Sequence, residues 1–327
     1  MGSRCYYLDF AKVITALLVI FGHLYGEDST VRLYLYAFHM PLFFLISGIF
    51  HQNTGHIEWK KYCTRILWPT FIFILLSILS SVLEGGTIKN PNIVSIYCTG
   101  LLTGRLEPIL WFLFALFWCK VFTDCLFKLN RPVLAFVGWS CFLFIPILLN
   151  RRLPFEMTQG LIALPFYLLG YRFQNRLLSL KPDFKWIIAF LGSAAICFLI
   201  TRVHGRVSLG FISFGQLATI QGIDNSSLPI YLLCFGGDVL LFYLNGVIGS
   251  IMVISLALLP LPENPAVSQL SKALITVVGT QYLFINPILH SIGYDNTVWV
   301  TIPLSIGILI LCYMMHQILR PVYRIAQ

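Results

Sequence analysis

The chain has 327 residues and a net charge of +9, with only 11% charged residues against 58% hydrophobic and a mean hydropathy of +0.83. A soluble domain is roughly one-quarter charged, so polar surface is too scarce here to coat a water-facing particle and lipid must cover much of it. The basic residues form no stripe interleaved with stacking aromatics, and the nine cysteines lie mostly in apolar runs without C-x-x-C spacing, so neither a nucleic-acid partner nor a disulfide or metal framework is expected.

In chain order, the apolar runs predict about ten membrane helices: residues 7–25, 33–50, 66–83, 108–127, 132–149, 158–173, 186–200, 239–259, 273–289 and 298–318. The run at 228–259 is too long for one span and is broken at Gly236-Gly237-Asp238, so its first part is read as re-entrant or interfacial. The first run contains Asp9, Lys12 and His23 and has no cleavage-type end, which reads as a retained span. Counted over alternate loops, about fourteen Lys and Arg, Lys120 among them, fall on one side and seven, including Arg32, on the other. Both termini are therefore expected on the cytoplasmic side. The expected fold is an all-α polytopic bundle in a single domain over residues 1–327, and its largest outer segments are residues 84–107 and 202–227.

Ionisable groups within a membrane helix are costly and commonly functional. At about 100° per residue, His23 lies about 20° from Lys12 and about 40° from Asp9 around the helix axis, so all three share one face. Lys12 and His23 are separated by about 16 Å of rise. An Asp9–Lys12 pair at i,i+3 serving only helix packing is the competing explanation. The second span brings His39 into its outer half, beside Pro41, which frees backbone groups that need partners. Two histidines toward the outer side of adjacent helices suggest a shared polar site, and neutral imidazole can take a proton from a hydroxyl near pH 7. Trp111, with Arg105 and Glu107, flanks the outer end of the fourth span, either as a substrate contact or as an interfacial anchor. His51 and His56 lie near a loop without companions at metal spacing, so no metal site is expected.

Leu8-Asp9-x-x-Lys12, Gly22-His23, Phe38-His39-Met40-Pro41-Leu42-Phe43-Phe44 and Ser47-Gly48 closely resemble the opening of acyltransferase-3 proteins, in particular a fucose 4-O-acetylase-like branch. The likeness continues at Arg65-Ile66-Leu67-Trp68-Pro69, Leu110-Trp111-Phe112-Leu113 and Leu164-Pro165-Phe166-Tyr167-Leu168-Leu169-Gly170. Many members carry Arg where this chain has Lys12, which keeps the charge and loses the bidentate fork. A late family histidine corresponds only loosely to His290, which is given no role.

The resemblance implies transfer of an acyl group, usually acetyl from acetyl-CoA, to a hydroxyl of a cell-surface or lipid-linked carbohydrate, in a bacterial inner membrane. Acetyl-CoA would be the donor substrate, with membrane lipid around the protein. Lys12 and Arg65 would meet CoA phosphates from the cytoplasmic side, and the pantetheine arm would bridge toward His23. His23 would be the general base, or a transiently acylated nucleophile, with His39 or a donor near Ser47 orienting reactants or stabilising the oxyanion. Asp9, Ser47 and Trp111 would give substrate or structural support. A glycan transporter or polymerase is the competing reading, against which stands the clustering of polar residues in the first two spans.

Overall fold

The structure, a computed structural model, describes residues 5–25, 30–84, 93–103, 110–128, 152–204, 238–291 and 297–325. All regular structure among them is helical. The helices are α1 (Tyr6–Leu24), α2 (Thr30–Tyr36), α3 (His39–Ile49), α4 (Trp59–Tyr62), a π-helical turn (Cys63–Leu67), α5 (Trp68–Glu84), α6 (Ile93–Thr103) and α7 (Trp111–Lys128). They continue with α8 (Met157–Arg172), α9 (Gln174–Leu178), α10 (Trp186–Val203), α11 (Val239–Ala257), α12 (Pro265–Lys272), α13 (Leu274–Ser291) and α14 (Val298–Ile325).

Six of the described segments are long and apolar enough to cross a membrane, or seven if the bent pair α12–α13 counts as one. They do not establish the expected ten. The expected span at 132–149 and the segment at 228–237 lie outside the described residues. The fourth and sixth expected spans are present as helices of another kind: α7 carries Lys120, Asp124 and Lys128 within 18 residues, and α8 is only 16 residues long. The outer segment at 84–107, expected as a loop, contains the apolar helix α6.

The second expected span is two helices. Between α2 and α3 the chain turns at Ala37 and Phe38. Pro41 has no N–H for the carbonyl four residues back, so a continuous helix would leave Ala37 unbonded there. The break converts that loss into a new helix start at His39.

Helix α1 sits centrally and packs on α2, α3, α11, α12, α13 and α14. Helix α3 crosses α8 at close quarters, because a Cβ on Gly48 would run into the Tyr167 carbonyl and a Cβ on Gly170 into the Leu45 carbonyl. With little hydrophobic driving force between helices in lipid, such small-residue contacts supply dispersion energy through close approach. Helices α7 and α8, α10 and α11, and α13 and α14 pair along their lengths. Helix α10 turns an apolar row outward, with Ile188 76% and Leu199 59% exposed, the pattern of a lipid-facing helix.

Candidate active site

One face of α1 meets α12 and α13 and carries Asp9, Lys12 and His23. Near the start of α1, Asp9 Oδ1 accepts the Ser271 hydroxyl of α12 at 2.6 Å and lies 3.7 Å from Lys12 Nζ. At its far end, His23 Nδ1 is 3.0 Å from the Tyr36 hydroxyl and 2.9 Å from the Tyr282 hydroxyl. Tyr36 also stands against His39, with ring centres 4.9 Å apart, so one phenol links the two histidines. His39 Nδ1 is 2.8 Å from the Leu35 carbonyl. A carbonyl only accepts, so Nδ1 is the protonated nitrogen and His39 presents Nε2 as an acceptor. Arg32, counted above with the outer basic residues, is instead buried, with its guanidinium 5.0 Å from the Tyr36 ring centre.

A cavity of about 320 Å³ opens at the other end of the same helices. Its walls are Phe43, Ser47 and His51 along the α3 side, Phe112, Leu116 and Lys120 along α7, Leu274 and Val278 on α13, and Lys12 on α1. Phe112 to Lys120 is about 12 Å of helix rise, so the space is elongated along the bundle. The end around Phe43, Phe112 and Val278 is apolar. The opposite end carries Lys12, Lys61, Arg65 and Lys120 against, among the described residues, the single lining carboxylate of Glu58. Arg65 is held at the rim by the π-helical turn, a distortion that often accompanies functional positions. Beyond Lys61 and Arg65 lies a shallow basin bordered by His56, Trp59, Lys60 and Thr64.

The apolar end points toward the histidines. On α3, Phe43 is one turn from His39, and on α13, Val278 is one turn from Tyr282, in each case about 6 Å of rise. Cavity and histidine cluster are thus successive stations along α1, α3 and α13.

Of the residues singled out in the sequence, Lys12, Arg65 and Ser47 line the cavity, and His23 and His39 meet around Tyr36. Ser47 is two helical turns from His39, at the cavity and not in the histidine cluster. Trp111 is 9% exposed and packs edge-on to Phe112 in the main apolar core; Arg105 and Glu107 lie outside the described residues. Asp9 reaches α12, not the cavity.

Sequence reasoning passed over a second buried group. His51, read as a loop residue, is 3% exposed; its Nδ1 lies 2.9 Å from the Tyr167 hydroxyl and its Nε2 3.2 Å from Asp124 Oδ1. Tyr62 donates to Asp124 Oδ2 at 2.7 Å. Lys120, counted as a loop charge, is within α7 on the cavity wall and donates to Tyr167 at 3.2 Å. Burial, with Lys120 next in effect, holds the His51 imidazole below its ordinary range, against the pull of Asp124. The available signal was the Lys120–Asp124 spacing of four inside an apolar helix, the same rule that drew attention to Asp9 and Lys12.

The family model described as "Acyltransferase domain" matches residues 6–317. Nodulation protein NolL of Mesorhizobium japonicum is 29% identical over 232 residues, covering 61% of this chain and 57% of that protein. The match therefore spans little more than half of the relative's length. No solved structure matches the chain.

Proposed function

Because the chain belongs to the acyltransferase-3 family, we propose that it is a membrane O-acyltransferase moving an acetyl group from acetyl-CoA to a hydroxyl of a cell-surface or lipid-linked carbohydrate, in a bacterial inner membrane. One observation carries the reading. An elongated cavity, basic at one end and apolar at the other, lies on the same three helices as a histidine held by two phenols, with its apolar end about one helical turn away.

The donor enters from the basic end, taken as cytoplasmic from the Lys and Arg distribution. Its phosphates meet Lys12, Lys61 and Arg65, and its nucleotide spreads over the shallow basin beside Trp59 and Lys60. The pantetheine arm is narrow and neutral, as the 12 Å cavity requires, and delivers the thioester toward the histidines. The carbohydrate arrives from the opposite side.

His23 is the general base. In this role the proton sits on Nδ1, between the oxygens of Tyr36 and Tyr282, and the Nε2 lone pair is left for the acceptor hydroxyl. Nε2 takes the hydroxyl proton as the oxygen attacks the thioester carbonyl. The C–S bond then breaks, and the departing CoA thiolate receives a proton from His23. His39, with its tautomer fixed by the Leu35 carbonyl, orients the acceptor from across Tyr36.

The test uses membranes containing the protein, radiolabelled acetyl-CoA and a lipid-linked glycan extract. Label should pass to glycan with wild type, be lost in His23→Ala and be weakened in Lys12→Ala. Full transfer by a folded His23→Ala variant would end the base assignment. Absence of acetyl-CoA turnover in a folded wild type would end the donor assignment.

A further inference from the structure

A cation drawn into a bundle with no carboxylate against it is an expensive group. Lys120 is such a residue. Among the described residues its direct contacts are neutral: the Tyr167 hydroxyl at 3.2 Å and the faces of Tyr62 and Tyr167, each ring centre 5.6 Å from Nζ. Asp124, one turn further along α7, is turned to Tyr62 and His51 instead.

The protons of this network order in one direction. Lys120 donates to the Tyr167 oxygen, and Tyr167 donates its hydroxyl proton to Nδ1 of His51. His51 Nε2 then lies 3.2 Å from Asp124 Oδ1, while Tyr62 donates to Oδ2. A relay through tyrosine and histidine thus holds the Lys120 side chain on the cavity wall, where an ammonium has donors to spare.

The charges around the cavity form two tiers. Lys61 and Arg65 are at the rim. Lys12 lies six residues inside the start of α1 and Lys120 eight residues inside the end of α7, about 9 and 12 Å of rise inward. From Lys12 it is about 16 Å along α1 to His23, a span that an extended pantetheine arm covers.

Resting on the donor reading above, we propose that Lys120 is a donor-binding residue, which with Lys12 holds the phosphate at the base of the pantetheine arm, while the rim pair serves the nucleotide end. The shared chemistry is a phosphate on a long, weakly polar arm. Such a phosphate has two sources, a CoA-type donor and a polyprenyl phosphate, and the donor is the one assigned here because the basic end is on the side taken as cytoplasmic.

The test is equilibrium binding to the detergent-solubilised full-length protein, with CoA, 4′-phosphopantetheine, pantetheine and a polyprenyl phosphate as probes. Lys120→Met should weaken CoA and 4′-phosphopantetheine by about 10- to 100-fold, the value of a charged hydrogen bond, and leave pantetheine binding as in wild type. That unchanged arm also shows that the variant is folded. Tyr167→Phe, which keeps the ammonium and removes its anchor, should weaken the same two probes less. Arg65→Ala should weaken CoA and spare 4′-phosphopantetheine. Wild-type affinity of Lys120→Met for 4′-phosphopantetheine would overturn the proposal and leave the donor reading intact. A wild type that ignores CoA would overturn both, and Lys120-dependent binding of the polyprenyl phosphate by that same protein would assign the site to a lipid.

Discussion

The hydroxyl of Tyr282 on α13 lies 2.9 Å from Nδ1 of His23 on α1, across a sequence separation of 259. Tyr36 reaches the same nitrogen from α2 at 3.0 Å. Two phenols on one nitrogen hold the His23 ring redundantly. Tyr282→Phe or Tyr36→Phe alone should therefore lower kcat only about fivefold, as expected for one neutral hydrogen bond. The double variant loses the orientation altogether and should fall by about 100-fold, within the usual contribution of a positioned acid–base group. The KM for acetyl-CoA should change little in all three, because neither tyrosine lines the cavity. Steady-state kinetics on purified protein decides it.

That relationship marks the limit of what was legible in the sequence. His23 and His39 stood out because an ionisable group in an apolar helix must be explained, and the shared face of His23, Lys12 and Asp9 followed from spacing alone. Tyr36 and Tyr282 gave no such signal, since tyrosines in membrane proteins are ordinary interfacial and packing residues, and nothing local pairs α1 with α13. Lys120, His51 and Arg32 were misread for a related reason. Counting charges by loop treats every Lys or Arg near a helix end as solvated, and only tertiary packing, of α3, α7 and α8 around His51 and Lys120 and around α2 for Arg32, draws them inward. Pro41 left a local signal, a missing N–H, which was read as freed backbone groups within one span at 33–50; the chain answers it with a break.

The crossing of α3 and α8 leaves no room for side chains at its two glycines. A methyl group at Gly170 meets the Leu45 carbonyl, and one at Gly48 meets that of Tyr167. Backbone cannot give as the end of a flexible side chain can. Gly170→Ala should cost about 1–3 kcal/mol, the usual penalty of overpacking, and Gly170→Leu more. Thermal denaturation in detergent should show the order wild type, then Gly170→Ala, then Gly170→Leu. Gly192, where an added Cβ meets nothing within 4 Å, should tolerate Ala with no comparable loss.

His51 lies just beyond α3, neutral and buried, with its folded pKa below the ordinary value. The unfolded chain therefore binds a proton that the folded one refuses as pH falls below the usual histidine range. Stability is fully present above about pH 6.5 and is lost on acidification toward the lower folded pKa, by at most about 1.4 kcal/mol per pH unit from this group. Melting temperatures of wild type should fall between pH 7 and pH 5. His51→Gln, which lacks the titrating ring, should show a flatter profile over the same range, and parallel profiles would exclude His51 as the source.

Asp9 joins the two ends of the site. Its carboxylate accepts from Ser271 at 2.6 Å and Ser268 at 3.4 Å, so it ties α12 to the start of α1. Helix α12 then bends by 78° into α13, which carries Val278 to the cavity and Tyr282 to His23. Loosening the tie should reach the chemistry through that bend. Asp9→Ala should destabilise by about 1.5–3 kcal/mol, the range for a hydrogen bond to a charged group, and Ser271→Ala by less. In a double-mutant cycle the pair should couple by about 1–2 kcal/mol, because both substitutions remove the same contact. The variants that melt earlier should also have lower kcat, since Tyr282 depends on the placement of α13. A cycle with additive losses would remove Ser271 as the partner through which Asp9 acts, and unchanged kcat in a destabilised Asp9→Ala would separate the tie from the placement of Tyr282.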